Sequence, residues 1–427
     1  MSQPTTCQPH RRAGRRERGR AGEHQGAAMR NGWQTKTLGE VCEVMNGGTP
    51  KTGVLEYWDG SHLWITPAEM GKRLSPYVGD TERKITDLGL RDSSARMLPP
   101  NSVILSSRAP IGHLVINTEP MATNQGCKGL IPDSQLQHKF LYYYLSSIVD
   151  LLNSLGAGAT FKELSGGKLK EVTIPVPPLP EQQRIVGILD EAFEGIATAK
   201  ANAEKNLHNA RALFGSHLQS VFAQRGEGWV EKRLADVADF KNGLNFTRQS
   251  NGQTLRMVGV GDFQEHSVVP IETLQSVTID GKLSDDYLIR RDDILTVRSN
   301  GSKDLVGRCM LVPDVDGMTS FSGFIIRIRF DTRALSPRFL LHFMRSSATR
   351  DRLTRDGGGA NISNINQAKL SELPVSLPSF KQQEEIANRL DNLREETQRL
   401  AILYERKLAA LEALKKSLLH QAFTGEL

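Results

Sequence analysis

Gly47-Gly-Thr-Pro-Lys51-Thr52 has the residue types of a phosphate-binding loop: glycines that let backbone amides approach an anion, then a lysine and a threonine. The spacing defeats that chemistry, because glycine must stand immediately before the lysine and Pro50, which has no amide hydrogen, stands there instead. Val258-Gly-Val-Gly-Asp262 is a lone GxG without the third glycine that dinucleotide binding requires. No Asn/Asp-Pro-Pro-aromatic segment is present to grip an extruded adenine for methyl transfer; the prolines at 99–100 follow Leu98 and those at 177–178 precede Leu179. Pro132-Asp133 and Pro313-Asp314 lack the acidic-x-Lys partner of a metal-dependent nuclease. The ten histidines show no HExxH or other ligand spacing, and His217 reads as a packed residue or a register device. Cys7, Cys42, Cys127 and Cys309 stand far apart with no CxxC pair, which argues against a zinc knuckle or a disulfide framework and suits a reducing cytoplasm. The residues therefore point away from catalysis and from a bound metal or cofactor in this chain.

The elements that position these residues belong to a chain of 427 residues and 47.3 kDa, a length that fits two or three domains. At 38% hydrophobic and 24% charged it is neither disordered nor membranous, and no run of about 18 apolar residues exists to span a bilayer. The beginning of the chain lacks the apolar stretch of a secretion signal. A net charge of +6 and a pI near 9.1 invite a nucleic-acid reading, but the charge is concentrated. Residues 1–29 hold six arginines (Arg11, Arg12, Arg15, Arg16, Arg18 and Arg20) against Glu17 and Glu23, while the remainder is nearly neutral. This basic tail has no apolar periodicity and reads either as a disordered arm on phosphates or as an over-extended start, with Met29 the natural first residue.

Internal repetition organises everything after the tail. Trp33 and Leu38 recur as Trp229 and Leu234, and Asn46-Gly47 as Asn242-Gly243, all 196 residues on. Ile104-Leu105-Ser-Ser-Arg108 resembles Ile294-Leu295-Thr-Val-Arg298, and Phe140-Leu141 recurs as Phe339-Leu340. Gly156-Ala-Gly-Ala159 becomes Gly357-Gly-Gly-Ala360, and from there an offset of 201 carries Gln182, Leu189, Asp190 and Phe222 onto Gln383, Leu390, Asp391 and Phe423. Each copy opens with about 150 residues that mix short β-rich runs, such as Ser102–Ser106 and Phe324–Phe330, with turns and a helical stretch near 138–152 or 336–353.

Each copy then closes with a long helix. Prolines from Pro175 to Pro180 block helix and place Glu181 in a first turn; Pro374 to Pro378 do the same in the second copy. Seam positions at Ile185, Leu189, Ala192, Ile196, Ala199, Ala203, Leu207, Ala210, Phe214, His217 and Val221 mostly alternate steps of four and three, a coiled-coil seam. The matching seam runs from Ile386 to Ala422 and includes Leu400 and Lys415. The fold class expected is mixed α/β (α+β) globular domains in two copies, joined by two long antiparallel coiled-coil helices about a pseudo-two-fold axis. The expected boundaries are 30–180 and 229–380 for the globular domains, and 181–228 and 381–427 for the helices.

A duplicated chain with a long spacer is suited to hold two reading heads apart on DNA. At this point the chain resembles the specificity subunits of type I restriction–modification systems. The resemblance rests on Gly47–Thr52, on Lys168-Leu-Lys-Glu-Val-Thr-Ile-Pro-Val-Pro-Pro-Leu-Pro-Glu-Gln-Gln-Arg184 and on Ser417-Leu-Leu-His-Gln-Ala-Phe-Thr-Gly-Glu-Leu427. The second proline segment, Pro378-Ser-Phe-Lys-Gln-Gln-Glu384, departs from the first by losing two prolines.

The resemblance implies two target-recognition domains that read the halves of a bipartite double-stranded DNA target, with the helices as a ruler. It implies partners as well: two methyltransferase (modification) subunits that supply S-adenosylmethionine for adenine N6 methylation, and restriction subunits that use ATP and Mg for translocation and cleavage. No membrane partner is implied, and this chain would catalyse nothing itself. Residues identical between copies should be scaffold, so base readers should lie in polar loops where the copies differ. These are Thr49, Lys51, Lys72, Arg73, Arg83, Lys84 and Ser107 in the first domain, and Arg248, Gln249, Arg291, Asn300 and Lys303 in the second. Arg108 and Arg298, present in both copies, fit phosphate contact or a structural role. The plain alternative for each is a solvated surface residue, and Trp58 and Trp64 fit the core. Two other readings stand beside this one: a specificity chain for a modification enzyme without a separate translocase, and a scaffold whose heads bind protein.

Overall fold

The computed structural model describes residues 32–427 except 109, 159–161, 225, 247–249, 265 and 356–363. The basic tail, Met29, Arg248, Gln249 and the run Gly357–Ala360 lie outside the described residues. The described chain divides into two compact units: the residues up to Ala199 together with Ala410–Leu427, and Lys200–Ala409.

In the first unit, five strands lie in the order Cys42–Asn46, Cys127–Pro132, Val103–Ser107, Ile111–Asn117 and Tyr77–Val78. Three more run in the order Arg83–Ile85, Trp58–Ile65 and Met121–Thr123, with the last pair parallel. Gln34–Thr37 pairs with Thr173–Val176, so the beginning and end of the globular part are stitched together. The second unit repeats this plan. Its main sheet runs Ala238–Asn242, Ile325–Phe330, Ile294–Val297 and Cys309–Leu311; its smaller sheet runs Ser276–Thr278, Thr254–Val258 and Thr319–Phe321; Val230–Arg233 pairs with Pro374–Leu377. Only the edge strand Tyr77–Val78 has no counterpart among the described strands.

Ile325–Phe330 forms its strand, but its charged face is covered. Arg327 is buried and donates to the carbonyls of Asp286 and Leu288, and Arg329 pairs with buried Asp293 at 2.6 Å. Each helical stretch is two helices: His138–Ser147 with Val149–Leu155, and Pro337–Arg345 with Ser347–Thr354. In the second copy Ser346 is extended and its hydroxyl accepts from the amide of Thr349, ending one helix and capping the next.

The ladders correct one register. Val103 to Ser106 face Leu130 to Cys127, and Ile294 to Val297 face Ile328 to Ile325. The backbone of Ser107 donates to Gly126 and accepts from Leu164; that of Arg298 donates to Phe324 and accepts from Ile365. Arg298 therefore occupies the place of Ser107, and Arg108 that of Ser299, so the two arginines are not equivalent. Sequence matching favours arginine on arginine, but a one-residue slip sends a strand's side chains to the opposite face, and the ladder decides.

The long helices run Leu179–Ala223 and Phe380–Thr424, each 45 residues, or roughly 68 Å at 1.5 Å per residue. Every seam residue of the first is buried or half-buried; in the second, Leu400 and Lys415 are exposed. Within the first unit, Arg184 near the start of the first helix bonds the Leu427 oxygen at 2.8 Å, and Lys415 lies over the ring of Phe193. Within the second unit, Arg211 pairs with Glu405 at 2.7 Å. The helices are antiparallel in each. Phe423 packs edge-on to Phe140 and Tyr144 in the first unit, and Phe222 to Phe339 and Phe343 in the second, so each globular core is completed by the far end of a long helix. Among the described residues no helix is long and apolar enough to cross a membrane.

Candidate nucleic-acid interface

The repeated glutamines anchor helix to head. Gln182 is fully buried; its oxygen accepts from the Gln137 amide, and its nitrogen donates to the carbonyls of Gln135 and Pro177. Gln383 repeats the arrangement with the Ser336 amide and the carbonyls of Ala334 and Pro378. A glutamine amide has the donor and acceptor needed to satisfy both kinds of backbone group at the helix start. These residues thus hold the head in a fixed pose on its helix.

In the first head, the Gly47–Thr52 loop is pinned from beneath. Trp64 Nε1 donates to the Gly48 carbonyl at 2.9 Å and Trp58 Nε1 to the Lys51 carbonyl at 3.3 Å, with the two indoles edge-to-face in the core. A Cβ on Gly47 would stand 2.0 Å from the Asn124 oxygen, and one on Gly48 2.2 Å from the Ala95 nitrogen, so only glycine fits either place. Thr49 Oγ1 accepts from Asn124 Nδ2 at 3.0 Å. Lys51 is exposed, and its amine has no polar partner among the described residues. Arg83 stacks over Trp58, 3.6 Å from the ring centroid, and likewise has no carboxylate partner there. Trp58 thus holds the Lys51 backbone through its ring nitrogen and Arg83 on its ring face.

The neighbouring cations are neutralised. Lys72 pairs with Glu82 at 2.9 Å, Arg73 with buried Glu69 at 2.5 Å and Lys84 with Asp80 at 3.4 Å. The Thr81 amide, and then Lys84, hold the Asp80 carboxyl below its ordinary value. Ser107 is fully buried at the end of its strand, which removes it from any surface contact in this conformation. Arg108 stands 3.9 Å from Glu163, whose carboxylate also faces buried Lys128 at 3.8 Å. Burial pushes the Lys128 amine down and Glu163 opposes it, so one carboxylate serves both cations.

In the second head, Arg291 clasps both oxygens of Asp314 at 3.0 and 2.9 Å. It precedes the strand Ile294–Val297, whereas Arg298, Asn300 and Lys303 follow it, so the strand holds Arg291 apart from the other three. Arg298 keeps a buried Nε without a hydrogen bond. Asn300 Oδ1 accepts from the Ser302 amide and shapes the loop, while Lys303 is exposed and its amine has no polar partner among the described residues. Residue-by-residue reading missed Arg308, Arg345 and Arg350, which surround this same loop. Their absence from the matching places of the first copy is the signal that finds them.

Known proteins match the whole arrangement. The profile of the type I restriction modification DNA specificity domain matches twice, at residues 30–207 and 226–405. The type I restriction enzyme StySPI specificity subunit of Salmonella potsdam is 26% identical over 419 residues, 93% of this chain and 89% of that one. The MjaIX specificity subunit of Methanocaldococcus jannaschii is 33% identical over 232 residues; that match spans half of this chain and about half, 53%, of the relative. The HsdS subunit crystal structure from Thermoanaerobacter tengcongensis superimposes with a TM-score of 0.65 at 18% identity, covering 94% of this chain and 99% of that one. A chain from a study of complex assembly and conformational transition in a type I system gives 0.71 at 19% identity, covering 94% and 100%. With the family's DNA specificity domain present in two copies on a duplicated fold, the chain belongs to the specificity subunits of type I restriction–modification systems.

Proposed function

We propose that each head reads one half of a bipartite duplex target and that the two long helices set the number of unread base pairs between the halves. The observation that carries this reading is one fold built twice, with matching ladders and clamps but different residues in the exposed loops. Lys51 and Arg83 in the first head, and Asn300 and Lys303 in the second, are the candidates left with accessible donors. Direct reading of base edges needs such side chains in a groove, while phosphate contacts only position the protein.

The chain acts without chemistry of its own, docking two modification subunits that carry S-adenosylmethionine and extrude the target adenine for N6 methylation. Leu213, Leu400, Ile402, Leu403 and Leu414 are exposed on the long helices and supply apolar surface for that docking. Restriction subunits using ATP and Mg complete the cutting complex. A cytoplasmic location accords with Cys42, Cys127 and Cys309 being buried free thiols; burial pushes the first two up to about 12, out of reactive range.

The test is selection. The chain, assembled with the modification subunits encoded beside it, is incubated with randomised duplex DNA at stated salt, and the retained DNA is sequenced. Two short motifs at a fixed gap are expected. A single motif would mean one silent head, and no enrichment would contradict DNA reading altogether.

A further inference from the structure

The second unit holds a concentration of arginines that the first unit lacks at the matching places. Arg308, Arg345 and Arg350 line a recess of about 220 Å³ together with His266 and Phe263, and among the described residues no carboxylate lines it. Arg308 is tied to backbone oxygens: its Nε donates to Asp304 and its Nη1 to Phe263 and Gln264. Arg350 donates from Nε to Val306 and from Nη2 to Lys303 and Asp304. These bonds fix both guanidinium groups while leaving Arg308 Nη2 and Arg350 Nη1 without a partner among the described residues. Arg345 makes no hydrogen bond or ion pair there at all. Desolvation of the guanidinium, and then the neighbouring cations Arg394 and Arg308, hold it below its ordinary value. An adjoining recess shares Arg345 and Arg350 and also carries Asp304 and Asp351, neither of whose carboxylates pairs with them among the described residues.

The repeat serves as an internal control. Leu295 pairs with Met310 as Ile104 pairs with Val115, which makes Arg308 the counterpart of His113. Gly112 and Gly307 share a positive φ, and a Cβ added to them would meet Val149 and Arg350 respectively, so those two correspond. Helix register matches Arg345 with Ser146, and the offset of 201 matches Arg394 with Phe193. The same fold thus stands in the first unit with histidine, serine, valine and phenylalanine where the second has four arginines.

Resting on the reading of this chain as a DNA-specificity subunit, we infer that the recess of Arg308, Arg345 and Arg350 binds a backbone phosphate of duplex DNA beside the half-site read by the second head. Geometry favours phosphate. Three guanidinium groups line one recess, the forked N–H donors that suit a phosphate oxyanion, and two of them are immobilised beforehand. The loop that carries Asn300 and Lys303 is held by Arg350 through its backbone, so the phosphate site and the base-reading candidates share one support.

The experiment uses the chain assembled with its modification subunits and measures affinity for its selected duplex and for an unrelated duplex across a range of salt. Arg345→Gln and Arg345→Glu are compared with His113→Gln at the matching place in the first head. Arg345→Gln should weaken binding to both duplexes by the same several-fold factor and reduce the slope of log affinity against log salt by about 0.9, one phosphate. Arg345→Glu should weaken it further, and His113→Gln should leave the slope alone. Arg345 anchors nothing, so the melting temperature should hold. Unchanged slopes in both Arg345 variants would overturn the inference, as would a loss confined to one sequence, which marks base contact. Weaker capture of the modification subunits at unchanged slope would reassign the patch to an acidic protein surface. Failure of the unaltered complex to bind any duplex would instead sink the underlying DNA reading.

Discussion

Asp190 and Asp391 occupy equivalent places on the two long helices, yet they hold their heads with different chemistry. Asp190 takes the Lys139 ammonium at 2.7 Å and the Tyr143 hydroxyl. Asp391 takes Arg338 at 3.2 Å and buried His342 at 2.8 Å. The exposed faces diverge further. Lys72, Arg73 and Lys84 of the first head are matched by Glu82, Glu69 and Asp80, whereas among the described residues Arg308 and Arg350 of the second bond backbone oxygens and Arg345 bonds nothing. A duplicated fold separates what architecture demands from what it tolerates. The glutamine clamps, the phenylalanine plugs and the strand ladders recur, while the electrostatic surface does not.

The plugs give the largest expected effect. Phe423→Ala should cost about 3 kcal/mol and Phe222→Ala a similar amount, since each leaves a cavity between aromatic rings. Hydrogen exchange should show the first opening only the first unit and the second only the second; coupled opening of both would erase the distinction between them. Gln182→Leu and Gln383→Leu should each cost about 2 kcal/mol in chemical unfolding, because buried backbone groups lose their partners. An indifferent response at either place would show that the clamp is not shared.

The aspartates sharpen the contrast with acid. Burial pushes the Asp391 carboxyl up, but the hydrogen bond from His342 and the charges of His342, Arg338 and Arg394 bring it below the ordinary 3.8. A folded value lower than the unfolded one means that the pair contributes fully above 3.8 and fades as pH falls through the folded value. Asp391→Asn should flatten that loss, by on the order of 1 kcal/mol, in unfolding titrations of the second unit. The smallest effect belongs to Lys72→Gln. Its exposed partner implies a change within about 0.5 kcal/mol and no change in the salt dependence of DNA binding.

Much of the fold was legible because it is written in long-range periodicity. The repeat, the prolines before each long helix and the seam from Ile185 to Val221 depend on spacing, which the chain displays directly. The exceptions are local. Leu400 and Lys415 continue the pattern of the second seam and are nevertheless exposed, since periodicity does not say how fully each seam position is covered. The pairing of Arg108 with Arg298 failed by one residue because only ladder hydrogen bonds distinguish neighbouring registers in short strands. Surface residues were the least legible. Whether a lysine is free, like Lys51, or matched, like Lys72, depends on carboxylates brought close by folding, and Arg345 gained its setting from Arg308 and Arg394, distant in sequence.

If the heads read independently while the helices alone set the gap, one head can be exchanged without moving the other. A chain in which residues 34–176 are replaced by a second copy of residues 230–377, assembled with its modification subunits and put through the same selection from randomised duplex, tests this most directly. The motif of the first head should be replaced by a second copy of the other motif, in the orientation the duplication imposes, with the gap unchanged. Retention of both original motifs, or loss of the second head's motif from a folded chain, would contradict it.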